Sequence, residues 1–336
     1  MRQAGAKIIV DADQLSVVGI TEVLARLPAI LNGLDAAKKI LLSRLPDILI
    51  LIDFPDFNFR LAAVAKQQGI PVFYYITPQV WAWRKRRIYT IKRLVDRAAV
   101  ILPFEEDFFR QHGVPVSFVG HPLLDSGYEY LPAPSAHPQP ANQPVIGFLP
   151  GSRTREIRKL LPTMLNAAVV IGSQHNQVRF LVSRAPSVSP EVFDQIAGQF
   201  SGRVNFEVVT DKVDVILNQA TLVVAASGTV ALEAALTGTP MIVVYRVSAL
   251  SYWLGKLLVR LQHVSLVNLI AGKEVIPELL QGDATPESIA AHALVLLNDK
   301  DKCQHVRAEL LAVREKLGGG GASDRAAGIA LEMLAS

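Results

Sequence analysis

The chain has 336 residues, half of them apolar, 19% charged, and a formal net charge of +4. That length carries two domains with substantial cores, and the charge is too small to argue for nucleic acid, for which no recognition motif is present either. A single cysteine, Cys303, excludes an intrachain disulfide and a cysteine-cluster metal site, and no apolar run reaches the roughly 18 residues of a membrane-spanning helix.

The start, MRQAGAKIIVDAD, lacks the pattern of a secretory leader, so a cytoplasmic protein, free or peripheral, is expected. Residues 17–34 are apolar around most of a helical circumference, with Glu22 and Arg26 the only charges before Asp35. Such a segment suits a membrane interface, an acyl chain, or core and dimer packing, which leaves a homodimer open. Strands are predicted at 47–54, 71–78, 98–104 and 115–120, with helices at 58–68 and from 105 to Gly113. Five prolines in residues 131–144 mark a semi-rigid linker after a first domain of 1–130. A second domain, 145–317, predicts strands at 145–153, 178–183, 204–209, 221–226 and 241–246. Residues 249–264 form a second sticky segment, mixing Tyr252, Trp253 and leucines with Lys256 and Arg260. Predicted helices at 286–298 and ending near Leu317 lead to a run of four glycines, and 318–336 is expected to be a hinge and a last helix. Strands alternating with helices imply an α/β fold of two Rossmann-like parallel sheets, with a cleft expected at the carboxyl ends of their strands.

The densest signal is TLVVAASGTVALEAALTGTPMIVVYR (221–246): a buried strand, a turn, a helix, a glycine stop and a second strand. Ser227, Gly228 and Thr229 open the helix, whose first N–H groups lack internal partners and suit a phosphate. Glu233 follows one turn on, where a carboxylate can accept from a ribose diol; the plainer alternative leaves it in solvent. In FLPGSRTREIRK, Gly151 and Ser152 make a second strand-to-helix turn, and Arg153 can fork onto a phosphate or stand as surface charge.

Asp53 ends a strand in IDFPDFN, where a carboxylate can act as general base on a sugar hydroxyl, while Asp56 or Asn58 is expected to cap the next helix. In TPQVWAWRKRR, Trp81 and Trp83 either pack or line an acceptor groove, and Arg84 to Arg87 either draw a phosphorylated acceptor or anionic lipid or face solvent. Asn268 is expected in a loop, reading a base or ribose or capping a turn, with Glu274 and Glu278 in a following helix. His121 either packs at a strand end or touches substrate.

Together with LPFEEDFF, FVGHPLLD and VSLVNLIAGKEVIPELLQ, these blocks follow one another in an order that resembles the lipid-A-disaccharide synthase family over essentially the whole chain. The resemblance implies the two-domain GT-B fold and transfer of 2,3-diacylglucosamine from UDP-2,3-diacylglucosamine to 2,3-diacylglucosamine 1-phosphate. The product is a β-1,6-linked disaccharide formed with inversion, and no metal or other cofactor is expected. Carried over by position, the family's essential aspartate falls on Asp53 and its LPGSR arginine on Arg153. The nucleotide-site helix falls on Ser227, Gly228, Thr229 and Glu233, and the asparagine on Asn268. Acceptor or membrane contacts are expected at Trp81, Trp83, Arg84, Arg86, Val18, Val23 and Leu27, which places the protein on the inner face of the cytoplasmic membrane. Relatives begin with a strand, a glycine-rich turn and a helix that have no counterpart before Met1, and open apolar sheet surface is expected in consequence. Two alternatives stand beside this one: another GT-B enzyme using UDP-GlcNAc, transferase or epimerase, or a nucleotide-sugar binder without turnover.

Overall fold

The computed structural model describes residues 4–10, 20–126, 143–246 and 262–335, with only the backbone described for 20–26. Val18, the linker residues 131–142 and residues 249–261 of the second sticky segment lie outside the described residues, as does the side chain of Val23. The chain forms two compact units, Met1–Gly120 with Gly321–Ser336, and His121–Gly320. The tail beyond the glycines thus belongs to the first unit.

In that unit α1 (Ile20–Arg44) leads into β1 (Leu49–Ile52), α2 (Pro55–Gln67), β2 (Val72–Tyr75), α3 (Arg87–Leu94), β3 (Arg97–Val100), α4 (Pro103–Gln111) and β4 (Val116–Phe118). The strands are parallel in the order β1-β2-β3-β4. Because side chains alternate across a strand, Val72 and Tyr74 enter one core with Ala98 and Val100, while Phe73 and Tyr75 enter another with Ala99. Leu34, Leu41, Leu61, Ala65, Ile88 and Phe109 from α1 to α4 close the first core. The second is closed by the C-terminal helix Ala322–Ala335, whose Ala326 and Ala330 lie one turn apart and let its backbone approach the sheet. Its Arg325 Nε donates to the Val119 carbonyl at 2.9 Å. Sheet edge β1 keeps Ile50 and Ile52 exposed, so apolar sheet surface is open there.

The second unit runs β5 (Val145–Leu149), α5 (Thr154–Gln174), β6 (Arg179–Arg184), α6 (Pro190–Ala197), β7 (Glu207–Thr210), α7 (Val213–Gln219), β8 (Leu222–Ala226), α8 (Thr229–Leu236) and β9 (Met241–Tyr245). It continues through α9 (Leu266–Ala271), β10 (Glu278–Leu280), α10 (Pro286–Asn298) and α11 (Lys300–Lys316) to the C-terminal helix, α12. All strand pairs are parallel, in the order β10-β9-β8-β5-β6-β7. Buried, almost unbroken apolar strands such as VIGFL and LVVAA are what a sheet covered on both faces requires. Two expectations are corrected here. Asn268 lies in α9 rather than a loop, because Ser265 caps that helix and Gly272, at φ 77°, ends it. Glu278 starts β10 rather than a helix, because it pairs alongside Val243 of β9.

Candidate active site

Sheet order fixes where a ligand can sit in the second unit. From β5 the chain runs outward through β6 and β7, then returns to β8 on the other side of β5 and continues through β9 to β10. Beyond the carboxyl ends of β5 and β8 the connections diverge, and a crevice opens at such a switch point. A cavity of about 750 Å³ occupies it, lined by Gly151, Ser152 and Arg153 after β5, by Ser227 and Gly228 after β8, and by Thr229 and Glu233 along α8. Seven residues predicted from two separate blocks therefore share one pocket.

Each turn is built for its place. No side chain caps α8, so the donors at its start face the cavity with Gly228 and Thr229 exposed. Ser227 N–H continues the sheet by donating to the Val244 carbonyl, which fixes where α8 begins. Gly151 has φ 105°, a conformation that favours glycine, and a Cβ there would collide with Glu156 Oε2. Arg153 precedes α5 and has its side chain more than half exposed. Ser183, Arg184, Asp211 and Asn218 also line the cavity. Residue-type motifs did not reveal them; the ends of strands β6 and β7 were the available signal for Ser183, Arg184 and Asp211, while Asn218, inside α7, had none. Burial first, and the Glu156 charge second, pushes the Tyr245 hydroxyl pKa up at the end of β9.

Asn268 does not reach this cavity among the residues that line it. Its amide is fully buried and fully used: Nδ2 donates to the Ile276 carbonyl and Glu278 Oε1, while Oδ1 accepts from Val275 and Ile276 N–H. The expected contact with base or ribose is corrected to a staple between α9 and the approach to β10. His121 is also buried, accepts the Leu123 N–H on Nδ1, and is held neutral by burial, which drops its pKa to about 4. That bond leaves the proton on Nε2.

In the first unit, Asp53 lies at the carboxyl end of β1. Asp53 and Phe54 both take left-handed conformations, with φ 46° and 47°, at a cost of about 1–3 kcal/mol each. Asn58 Nδ2 and the Tyr74 hydroxyl hold that geometry by donating to the Asp53 carbonyl at 2.6 and 2.8 Å. The Asp53 carboxylate is exposed and, among the described residues, takes no hydrogen bond or ion pair. Asp56 instead pairs with Arg87 and, at 3.9 Å, with Arg84. Neither Asp56 nor Asn58 caps α2, which has no side-chain cap; Asn58 anchors the strand end instead.

Trp81 is corrected from a candidate acceptor contact to a buried anchor. Its Nε1 donates to buried Glu105 at 2.8 Å and its ring meets Phe104 edge-on at 4.8 Å. Glu105 Oε2 takes the Leu102 N–H at 3.0 Å, and burial lifts the carboxyl pKa to about 7. Trp83, Arg84 and Arg86 stay exposed, with the Arg84 guanidinium 4.6 Å over the Trp83 ring. Leu27 is exposed on α1.

The family model described as "Lipid-A-disaccharide synthetase" matches residues 1–331. The chain belongs to the lipid-A-disaccharide synthetase family. The lipid-A-disaccharide synthase of Geobacter sulfurreducens is 44% identical over 338 residues, covering 99% of this chain and 87% of that protein. The synthase of Syntrophus aciditrophicus is 46% identical, covering 99% and 88%. Among solved structures, the UDP-GlcNAc 2-epimerase of Neisseria meningitidis bound to UDP-GlcNAc superposes with TM-score 0.63 at 13% identity, over 94% of this chain and 84% of that one. The calicheamicin glycosyltransferase CalG4 does so with TM-score 0.59 at 16% identity, over 98% and 87%. These likenesses establish the GT-B class of fold. As a lipid-A-disaccharide synthetase family member, the chain is a glycosyltransferase of lipid A biosynthesis, working on a UDP-sugar and a lipid acceptor. Among the described residues no helix is long and apolar enough to cross a membrane, and no cluster of three or more His, Cys, Asp or Glu is arranged to hold a metal ion.

Proposed function

We propose that this chain transfers 2,3-diacylglucosamine from UDP-2,3-diacylglucosamine to 2,3-diacylglucosamine 1-phosphate. The acceptor's 6-oxygen bonds to the donor's anomeric carbon, the bond from that carbon to the diphosphate oxygen breaks, and its electron pair leaves with UDP. Asp53 takes the hydroxyl proton, and attack opposite the leaving group gives the β-1,6 linkage with inversion. Arg153 and the donors at the start of α8 carry the charge that grows on departing UDP, and Glu233 holds the ribose. No metal or other cofactor enters this scheme. The observation that carries it is the cavity at the β5–β8 switch point, which gathers both predicted phosphate turns. Asp53 is supported by its exposed carboxylate on a strained, doubly anchored backbone. Trp83, Arg84 and Arg86 are assigned to the acceptor phosphate, and exposed Leu27 and Leu31 of α1 to the inner face of the cytoplasmic membrane.

Mass spectrometry of the disaccharide formed in detergent from the two acylated substrates tests the reaction. Asp53→Asn is expected to lower kcat by about 10²- to 10⁴-fold, the range of a lost general base, with UDP affinity nearly unchanged. A parallel loss of UDP affinity would show that Asp53 supports the fold rather than the chemistry.

A further inference from the structure

The cavity proposed for the nucleotide contains an anion of its own. Glu156, on the first turn of α5, accepts the Ser152 and Arg153 N–H groups on Oε2 at 3.2 and 3.3 Å. Its Oε1 accepts from Arg153 Nη1 at 2.9 Å. Gly151 leaves the space in which this carboxylate sits, and the Ser187 hydroxyl fixes the turn by donating to the Ser152 carbonyl at 2.6 Å. Two N–H groups before a helix and a guanidinium are the donor set that a diphosphate uses. They cannot serve two anions fully at once, and a phosphate brought within hydrogen-bond range of Glu156 is repelled by it. The capping box of α5 accounts for the Arg153 N–H bond, and the neighbouring Ser152 N–H shares the same oxygen, but neither accounts for the third bond, to the Arg153 guanidinium. That third bond is the exchangeable one: the Arg153 side chain is 57% exposed against 29% for Glu156, so the guanidinium is free to swing while the carboxylate is held at the turn.

We propose that Glu156 competes with the UDP diphosphate for Arg153. It holds the guanidinium at the Gly151 turn in the empty site, gives it up when UDP or UDP-sugar binds, and reclaims it as UDP leaves. Glu156 is thus a positioning residue that limits nucleotide affinity and promotes product release, an inference resting on the diphosphate site proposed above.

Calorimetric titration of wild type and Glu156→Gln with UDP and with uridine tests this. The amide keeps an acceptor at the turn but removes the charge. UDP is expected to bind Glu156→Gln at least about fivefold more tightly, uridine equally well, with the gain shrinking as salt rises. In an Arg153→Gln background the same change should give a much smaller gain, since the contested donor is gone. UDP affinity equal to or weaker than wild type, with uridine affinity intact, overturns the competition while leaving the nucleotide site standing. Wild type that binds UDP no better than uridine overturns the diphosphate site and the competition together. Should Glu156→Gln fail to fold, Glu156→Asp is measured, whose shorter carboxylate draws back from Arg153. UDP binding no tighter than wild type then overturns the proposal.

Discussion

The Asn268 amide spends both its donors and both its lone pairs inside the second unit, bridging α9 to the strand that follows. Truncating such a group leaves several buried partners without one, each costing about 1–3 kcal/mol. Asn268→Ala is therefore expected to lower unfolding free energy by about 3 kcal/mol or more, measured by urea denaturation. UDP affinity of the fraction still folded should change little, whereas an affinity loss without a stability loss would restore Asn268 as a ligand contact. The residue type was legible in VSLVNL and its role was not, since its partners lie 7 to 10 residues away and meet it only once β10 pairs with β9. Gly151, Arg153 and Ser227 were legible because strand, turn and helix adjacent in sequence already dictate where those residues stand. Glu156 carries no signal of its own in TREIRK, because its meaning depends on a turn closing back upon it.

At the scale of elements, the segment between β2 and α3 is secured from outside itself. Trp81 reaches across to Glu105 on α4, so one buried carboxyl links the loop carrying Trp83 and Arg84 to the helix beyond β3. In the sequence, two tryptophans beside four basic residues looked alike, and only the packing of Phe104 and Glu105 separates the buried ring from the exposed one. Strands and most helices were legible from apolar runs and turn residues; β10 was missed because three residues beside a proline give no period to count. Glu105 also has a titration consequence. Burial raises its folded pKa from 4.5 to about 7, so the folded state holds the proton more tightly than the unfolded one. Its contribution to stability is full below pH 4.5 and is lost as pH climbs toward 7, by about 3 kcal/mol in all. Glu105→Gln should flatten that slope, followed by denaturant unfolding with tryptophan fluorescence at pH 5 and 8. Trp81→Phe removes the bond that opposes the shift and should carry the decline to higher pH. An unchanged slope in Glu105→Gln would assign the pH dependence to other groups.

For the whole molecule, the two units differ in what they leave exposed. The predicted phosphate turns belong to the second unit, while Leu27, Leu31, Leu42, Leu45, Ile50, Ile52 and Phe54 are all exposed on the first. Leu27 and Leu31 stand one turn apart on α1, so both point the same way, and exposed leucines paired like this gain by entering a lipid interface. A net charge of +4 adds a weak attraction to anionic lipid, too small to hold the protein without apolar contact. On this proposal the lipid acceptor is met by the first unit and the nucleotide by the second, so the two functions are separable by mutation. The double variant Leu27→Glu with Leu31→Glu is expected to lower sedimentation with anionic phospholipid vesicles at least about tenfold, since two partly buried leucines are each worth on the order of 1 kcal/mol or more. UDP affinity in detergent-free buffer should be unaffected. Salt should weaken wild-type binding only in part, because the apolar share is not screened. Vesicle binding that survives the double substitution, or that salt abolishes entirely, would move the membrane contact from α1 to a basic surface such as the one at Arg84 and Arg86.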